Sequence, residues 1–163
     1  MKPIDATDLR ILALLQENAK YTNKEVAARL GMSTTPVYER IRRLEEQGYI
    51  RGYAALLDKE KMGYNLVAYC NVQLKEHAQA FLQKFEDEVL HLNEVVECYH
   101  IAGMFDYLLK VVATDMKAYQ DFIVNKLAAL DNIGNVQSSF VMTQVKWGVG
   151  VPVRDSGVVI RES

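Results

Sequence analysis

The chain has 163 residues, a formal charge of −2, and 50% hydrophobic against 25% charged residues, the ordinary balance of a folded soluble protein. No apolar run approaches the ~18 residues of a membrane span, and MKPIDATDLRIL places acids where a secretory signal needs a basic region and an apolar core. A cytoplasmic protein is expected, and a wholly basic polyanion binder is excluded. Cys70 and Cys98 both fall in apolar, strand-like runs without a Cys/His cluster, which predicts buried free thiols and no metal.

The charge is unevenly laid out. Residues 1–58 hold nine Lys and Arg against eight acids, and residues 29–51 hold five Arg against three Glu. A locally basic element on an acidic body can face phosphates without binding every polyanion.

Ile4-Asp5-Ala6-Thr7-Asp8-Leu9 reads as a helix start. Asp5 is the cap, Asp8 lies by the positive helix end, and Ile4 and Leu9 make a staple. Leu9, Leu12, Leu15 and Ala19 follow at helical spacing. Thr22-Asn-Lys-Glu25 is a capping box for a second helix, carrying Val26, Ala27 and Leu30 and ended by Gly31. After a short turn, Thr35 is expected to cap a third helix with Pro36 at its first position. Val37, Ile41 and Leu44 form its inward stripe, and Gly48 closes it. Two helices across a tight Gly-containing turn, the second basic on its outer side, form a helix-turn-helix pattern, although a plain helical bundle with a solvated Arg face shares the spacing. The tightness of the turn and the extended run Tyr49–Leu57, suited to a wing, favour the DNA-binding reading.

The run STTPVYERIRRLEEQGYIRGYAALLDKEKMG (33–63) resembles the recognition helix and exit strand of the Lrp/AsnC, or feast/famine, regulators, with its S-x-x-x-V-x-x-R-I-x-R-L-E-x-x-G-x-I pattern intact. It is most similar to the leucine-responsive members. A helix over 36–47 would enter the major groove of double-stranded DNA. Thr34, Thr35, Tyr38, Glu39 and Arg42 would reach base edges, and Ser33, Arg40 and Arg43 phosphates. Arg40 could instead pair with Glu45 or Glu46.

Residues 59–65 are polar and read as a linker between a domain over 1–58 and a second over 66–146. Leu66, Ala68, Cys70, Val72 and Leu74 alternate along one side of a strand. A helix with Phe81, Leu82, Phe85 and Val89 follows. Strands over Glu94–Ala102 and Asp106–Thr114 flank Gly103-Met104-Phe105. A helix with Met116, Tyr119, Phe122, Ile123, Leu127 and Leu130 comes next, then a strand near Val136–Val145. The βαββαβ order predicts a ferredoxin-like sandwich, so the whole chain reads as α+β, a winged helix-turn-helix followed by this domain. The sheet face away from the helices keeps Tyr, Val, Phe and Met, which predicts at least a homodimer.

Residues 66–146 resemble the regulatory domain of the same family, most closely in GMFDYLLKVVATDMKAYQDFI (103–123). The resemblance implies an amino-acid effector held between subunits, no other cofactor, and a higher assembly such as an octamer on the nucleoid. Gly103, Met104 and Asp106 would meet the effector, Asp106 as the partner of its ammonium group. Where the family often has T-x-T in the last strand, this chain has Val136 and Ser138, which implies a more apolar ligand or a weaker response. The tail 147–163 matches no motif, and its apolar residues suggest packing on a neighbouring subunit.

Enzyme readings fare less well. There is no G-x-S-x-G, Walker loop, H-E-x-x-H or dinucleotide fingerprint. The siroheme decarboxylases resemble the same two-part layout and would assign His100 to a tetrapyrrole; His77 and His91 are expected at the surface. The Arg40/Arg42/Arg43 helix favours a transcriptional regulator that is not an enzyme, with a DNA-wrapping architectural protein as its nearest variant.

Overall fold

The computed structural model describes residues 3–146, 148 and 150–153. It divides into two compact units: the chain up to Leu56 together with the described tail residues, and Leu57–Lys146. Among the described residues no helix is long and apolar enough to cross a membrane.

The first unit holds α1 (Ala6–Glu17), α2 (Asn23–Leu30) and α3 (Thr34–Glu46). Asp5 caps α1 in a reciprocal box: its carboxylate accepts from the Asp8 N–H, and Asp8 accepts from the Asp5 N–H. Thr22 and Glu25 close the same box on α2. Ile11, Val26, Val37 and Leu44 are wholly buried, with Leu15, Ala27 and Ile41 completing the core. Ile11, absent from the predicted stripe, is the central residue of α1, whereas Leu9 is half-buried and Ala19 lies exposed beyond the helix end.

Gly31, at φ 66°, ends α2 in the left-handed region and turns the chain into α3. That helix begins two residues earlier than predicted, with Ser33 at the N-cap and Pro36 third in the helix. The first four N–H groups of a helix have no internal partner, so Pro36 costs no hydrogen bond there. Residues 51–57 are exposed and form no strand in the single chain. They are tied back to α3 by the Tyr53 hydroxyl, which donates to Glu45 at 2.8 Å. The described tail returns to α1: the Gln16 side-chain amide donates to the Val151 carbonyl (2.8 Å) and accepts from the Val151 N–H (3.1 Å). In the single chain the described tail thus meets α1 through Val151. Trp147, Val149 and Val158–Ile160 lie outside the described residues.

The second unit opens with a turn built on Asp58, whose carboxylate accepts from the Glu60 and Lys61 N–H groups. There follow β1 (Leu66–Leu74), α4 (Gln79–Val89), β2 (Val95–His100), β3 (Tyr107–Ala113), α5 (Met116–Phe122) and β4 (Ile133–Phe140). After Phe122 the helix widens into a π turn over Ile123–Leu127. The strands form one antiparallel sheet in the order β2-β3-β1-β4, the order of a ferredoxin-like sandwich. Ala68, Cys70, Val72 and Leu74 alternate inward from β1 and Tyr107, Leu109, Val111 and Ala113 from β3. Phe85, Val89, Tyr119, Phe122 and Leu127 cover them from the helices. Phe81, predicted in that core, lies at the surface.

Two predictions change. Cys70 is buried, but Cys98 is exposed on β2, the edge strand. The last strand starts at Ile133 and stops at Phe140, because its partner β1 begins at Leu66 and the Val141 N–H, donating to the Val67 carbonyl, makes the final backbone bond.

Candidate nucleic-acid interface and effector site

α3 buries one side and offers the other. Val37, Ile41 and Leu44 lock it onto α1 and α2, while Thr34, Thr35, Tyr38, Glu39 and Arg42 are exposed. The Ser33 hydroxyl makes no capping bond, so it and the N–H groups of the first turn point to solvent at the positive end of a 13-residue helix. Arg42 makes a surface pair with Glu46 at 2.8 Å, both side chains about 60% exposed. An exposed i,i+4 pair of this kind contributes little, so Arg42 can turn to another anion at small cost. Tyr38, Arg42, Glu45 and Tyr53 line an open groove of ≈ 300 Å³ beside the helix. Burial pushes the Tyr53 phenol up to about 12, so it stays a hydrogen-bond donor to Glu45 at neutral pH.

Arg40 and Arg43 are placed differently from the sequence expectation. The Arg40 guanidinium binds Asp5 and Asp8, each at 2.7 Å, and Arg43 donates to both oxygens of Asp8 at 2.8 and 2.7 Å. Asp8 is fully buried, and both Arg side chains are largely covered. Neither Glu45 nor Glu46 is the partner of Arg40. The Arg40 hydrogen bond holds the Asp5 carboxyl below the usual carboxylate range and raises Arg40 in turn. Two of the three arginines in the motif therefore anchor α3 to the start of α1. Asp5 and Asp8 had been read only as helix-end residues; nothing in local spacing connects them to a helix some 35 positions away.

In the second unit, Gly103 sits at φ 150° in the β2–β3 hairpin with open space where a Cβ would stand, and Met104 is 81% exposed. Asp106 follows. Its N–H donates to the Val72 carbonyl at 2.9 Å, and its carboxylate accepts from the Leu74 N–H at 2.7 Å. His77 Nε2 lies 3.1 and 3.2 Å from the two Asp106 oxygens, a contact that no local spacing announces.

Val136 and Ser138 lie on β4, across β1 from the hairpin: Val136 pairs with Val72, and Ser138 with Cys70. Both face the helix layer. Val136 packs on the core, and Ser138 accepts the Tyr119 hydroxyl, which also meets the Cys70 sulfur at 3.1 Å. Burial pushes the Cys70 thiol and the Tyr119 phenol up, so this cluster is neutral. Within one chain, then, Gly103, Met104 and Asp106 form one group and Val136 with Ser138 another, with β1 between them. His100, the tetrapyrrole candidate, stacks on Tyr107 with ring centroids 4.7 Å apart and lies 4.0 Å from Glu86.

Residues 4–51 match the family model described as winged helix-turn-helix DNA-binding, and residues 67–150 match the Lrp/AsnC ligand binding domain. A leucine-responsive regulatory protein of Rhizobium meliloti is 41% identical over 143 residues, covering 88% of this chain and 92% of its own. A proline dehydrogenase transcriptional activator of Rhodobacter capsulatus is 44% identical over 142 residues, covering 87% and 92%. Among solved structures, a transcriptional regulator from Neisseria meningitidis in complex with L-Met superposes with a TM-score of 0.89 at 35% identity, covering 93% of this chain and 97% of that one. These relatives are regulators rather than enzymes, which sets aside the decarboxylase reading of His100. With both of its units matched and its relatives aligned over most of its length, the chain belongs to the Lrp/AsnC family of transcriptional regulators, a DNA-binding helix-turn-helix followed by a ligand-binding domain.

Proposed function

We propose that this regulator reads a specific operator through the outer face of α3 and responds to an amino acid bound at the β2–β3 hairpin. The observation that carries the DNA half is the division of labour on α3: Tyr38 and Arg42 face outward while Arg40 and Arg43 are engaged with Asp5 and Asp8. Thr34, Thr35, Tyr38, Glu39 and Arg42 contact base edges and nearby phosphates, and Ser33 with the first-turn N–H groups holds a phosphate. Arg40 and Arg43 act by fixing the helix.

The effector half rests on Gly103, Met104 and Asp106, with the L-Met complex of the Neisseria relative as the precedent for an amino acid. Asp106 pairs with the ammonium group, Gly103 lets the ligand approach the backbone, and Met104 supplies an apolar contact. Val136 and Ser138 shape the site from beneath, through β1. The half-buried apolar residues on the uncovered sheet face (Val67, Tyr69, Leu108 and Val112) support a homodimer, which pairs two recognition helices for two half-sites on the nucleoid and builds into a larger ring.

The test is a titration of the purified protein on its own promoter and on random duplex, across salt and with each amino acid in turn. Promoter-preferring binding that shifts with one amino acid supports both halves. Equal affinity for promoter and random DNA would overturn the specific-operator reading in favour of an architectural one.

A further inference from the structure

We propose that His77 is an effector-site residue that competes with the amino acid for Asp106. The inference rests on the reading of Asp106 as the ammonium partner. In the single chain that carboxylate is already engaged. One oxygen takes the Leu74 N–H at 2.7 Å, and His77 Nε2 lies within 3.1–3.2 Å of both oxygens. The Asp106 side chain is 19% exposed, so it has little room for a third partner, while the His77 side chain is 57% exposed. His77 sits in the irregular segment between β1 and α4, where a rotation of its side chain breaks no backbone hydrogen bond of a helix or strand.

Protonation decides the contest. An imidazolium adds charge to its hydrogen bond with Asp106 and repels an incoming ammonium group. A neutral imidazole offers one hydrogen bond and no repulsion. Other charged groups surround the pair. Lys75 and Glu76 precede His77 on its own segment. Asp131, on the approach to β4, faces Lys75 and is paired with Lys84 of α4. Asn132 holds the Glu76 backbone through two hydrogen bonds, and Tyr107, next to Asp106, stays protonated. Imidazole is the side chain whose charge ordinarily changes between pH 5 and 8. Amino-acid binding therefore strengthens as pH rises through the imidazole range, and each binding event at the acid end releases a proton.

The test is calorimetric titration of the full-length protein with L-methionine and with L-leucine at pH 5.5 and 8.0, in two buffers of different ionisation enthalpy. The wild type should bind on the order of tenfold more tightly at pH 8.0, with proton release at pH 5.5. His77→Gln, which keeps a side-chain N–H donor but never carries charge, should bind equally at both pH values and release no proton. His77→Gln retaining the wild-type pH profile, with binding intact, would overturn the gate and leave the Asp106 site standing. Asp106→Asn binding both amino acids as well as wild type would overturn the site and the gate together.

Discussion

Arg43 closes on Asp8 across the helix-turn-helix with two hydrogen bonds, 2.8 and 2.7 Å, to a carboxylate with no exposure to solvent. Asp8 also takes Arg40, so a buried anion from the first turn of α1 sits between two cations of α3. Removing Asp8 leaves the covered Arg43 unpaired, and removing Arg43 leaves the buried carboxylate to Arg40 alone. Arg43→Ala should therefore destabilise the N-terminal unit by about 2–4 kcal/mol, below the figure for a wholly buried pair because the guanidinium groups keep some solvent. Urea unfolding measures this. The slope of log affinity against log salt should stay as in the wild type where the protein remains folded. Normal stability with a reduced slope would return Arg43 to the phosphate backbone.

Arg42 and Tyr38 make the opposite pair of cases. Neither holds the fold, since Arg42 is paired only with Glu46 on the surface and the Tyr38 side chain is half exposed. Arg42→Ala should leave the urea midpoint unchanged and lower the salt slope by about 0.9, one phosphate's worth. Tyr38→Ala should redistribute affinity among operator variants, by about 1–3 kcal/mol at the positions it touches, with the salt slope unaltered. Binding of the two variants to a library of operator mutants separates the outcomes. Equal losses on every sequence for Tyr38→Ala would remove it from base readout.

What could be read from the sequence was set by local chemistry. The boxes at Asp5 and Thr22, the left-handed Gly31, the inward alternation of β1 and the βαββαβ order all depend on neighbours a few residues apart. What escaped depends on long-range partners. Arg40 was assigned to a phosphate or to the acids five and six positions on, but its partners lie at the start of α1. His77 is the surface histidine expected, but its contact with Asp106, 29 residues on, exists only in the fold. The end of β4 was misplaced because Val141–Val145 is apolar enough for a strand, yet a strand extends only as far as its partner. Its start was missed at Gly134, where a side chain would come within 3.1 Å of the Gln73 carbonyl. There glycine marks close backbone approach rather than a turn.

The acid response of the N-terminal unit follows from Asp5. Its folded pKa is lowered, first by the Arg40 hydrogen bond and then by the Asp8 N–H. A carboxyl depressed in the folded state stabilises above its unfolded value, near 3.8, and loses that contribution as pH falls through the folded value. Asp5→Asn keeps the helix cap but removes the charge. It should be less stable than wild type at pH 7, by no more than about 1 kcal/mol since Asp5 is half solvated, and the gap should narrow as pH falls below the unfolded value. Urea unfolding followed by the helical signal at pH 7, 5, 4 and 3 measures the difference. A constant gap across that range would mean that the Asp5 charge contributes nothing.

The uncovered sheet face makes the last prediction. Val67 pairs with Val112 and Asn71 with Leu108 across β1 and β3, placing Val67, Tyr69, Leu108 and Val112 on the side without helices, all half-buried in one chain. Apolar area of that kind, spread over two central strands around the Lys110–Glu97 pair, is stabilised by covering it, and a two-fold copy of itself is the available complement. Val112→Lys would set two ammonium groups against each other at such a face while standing in solvent on the monomer, so folding should survive. Sedimentation should then give the 18.5 kDa chain where the wild type gives a dimer or larger. Affinity for a two-half-site operator should fall about 100-fold, the loss expected when two linked recognition helices become independent. A variant that still sediments as the wild-type assembly would move the interface off this face, for instance to the backbone edge of β2.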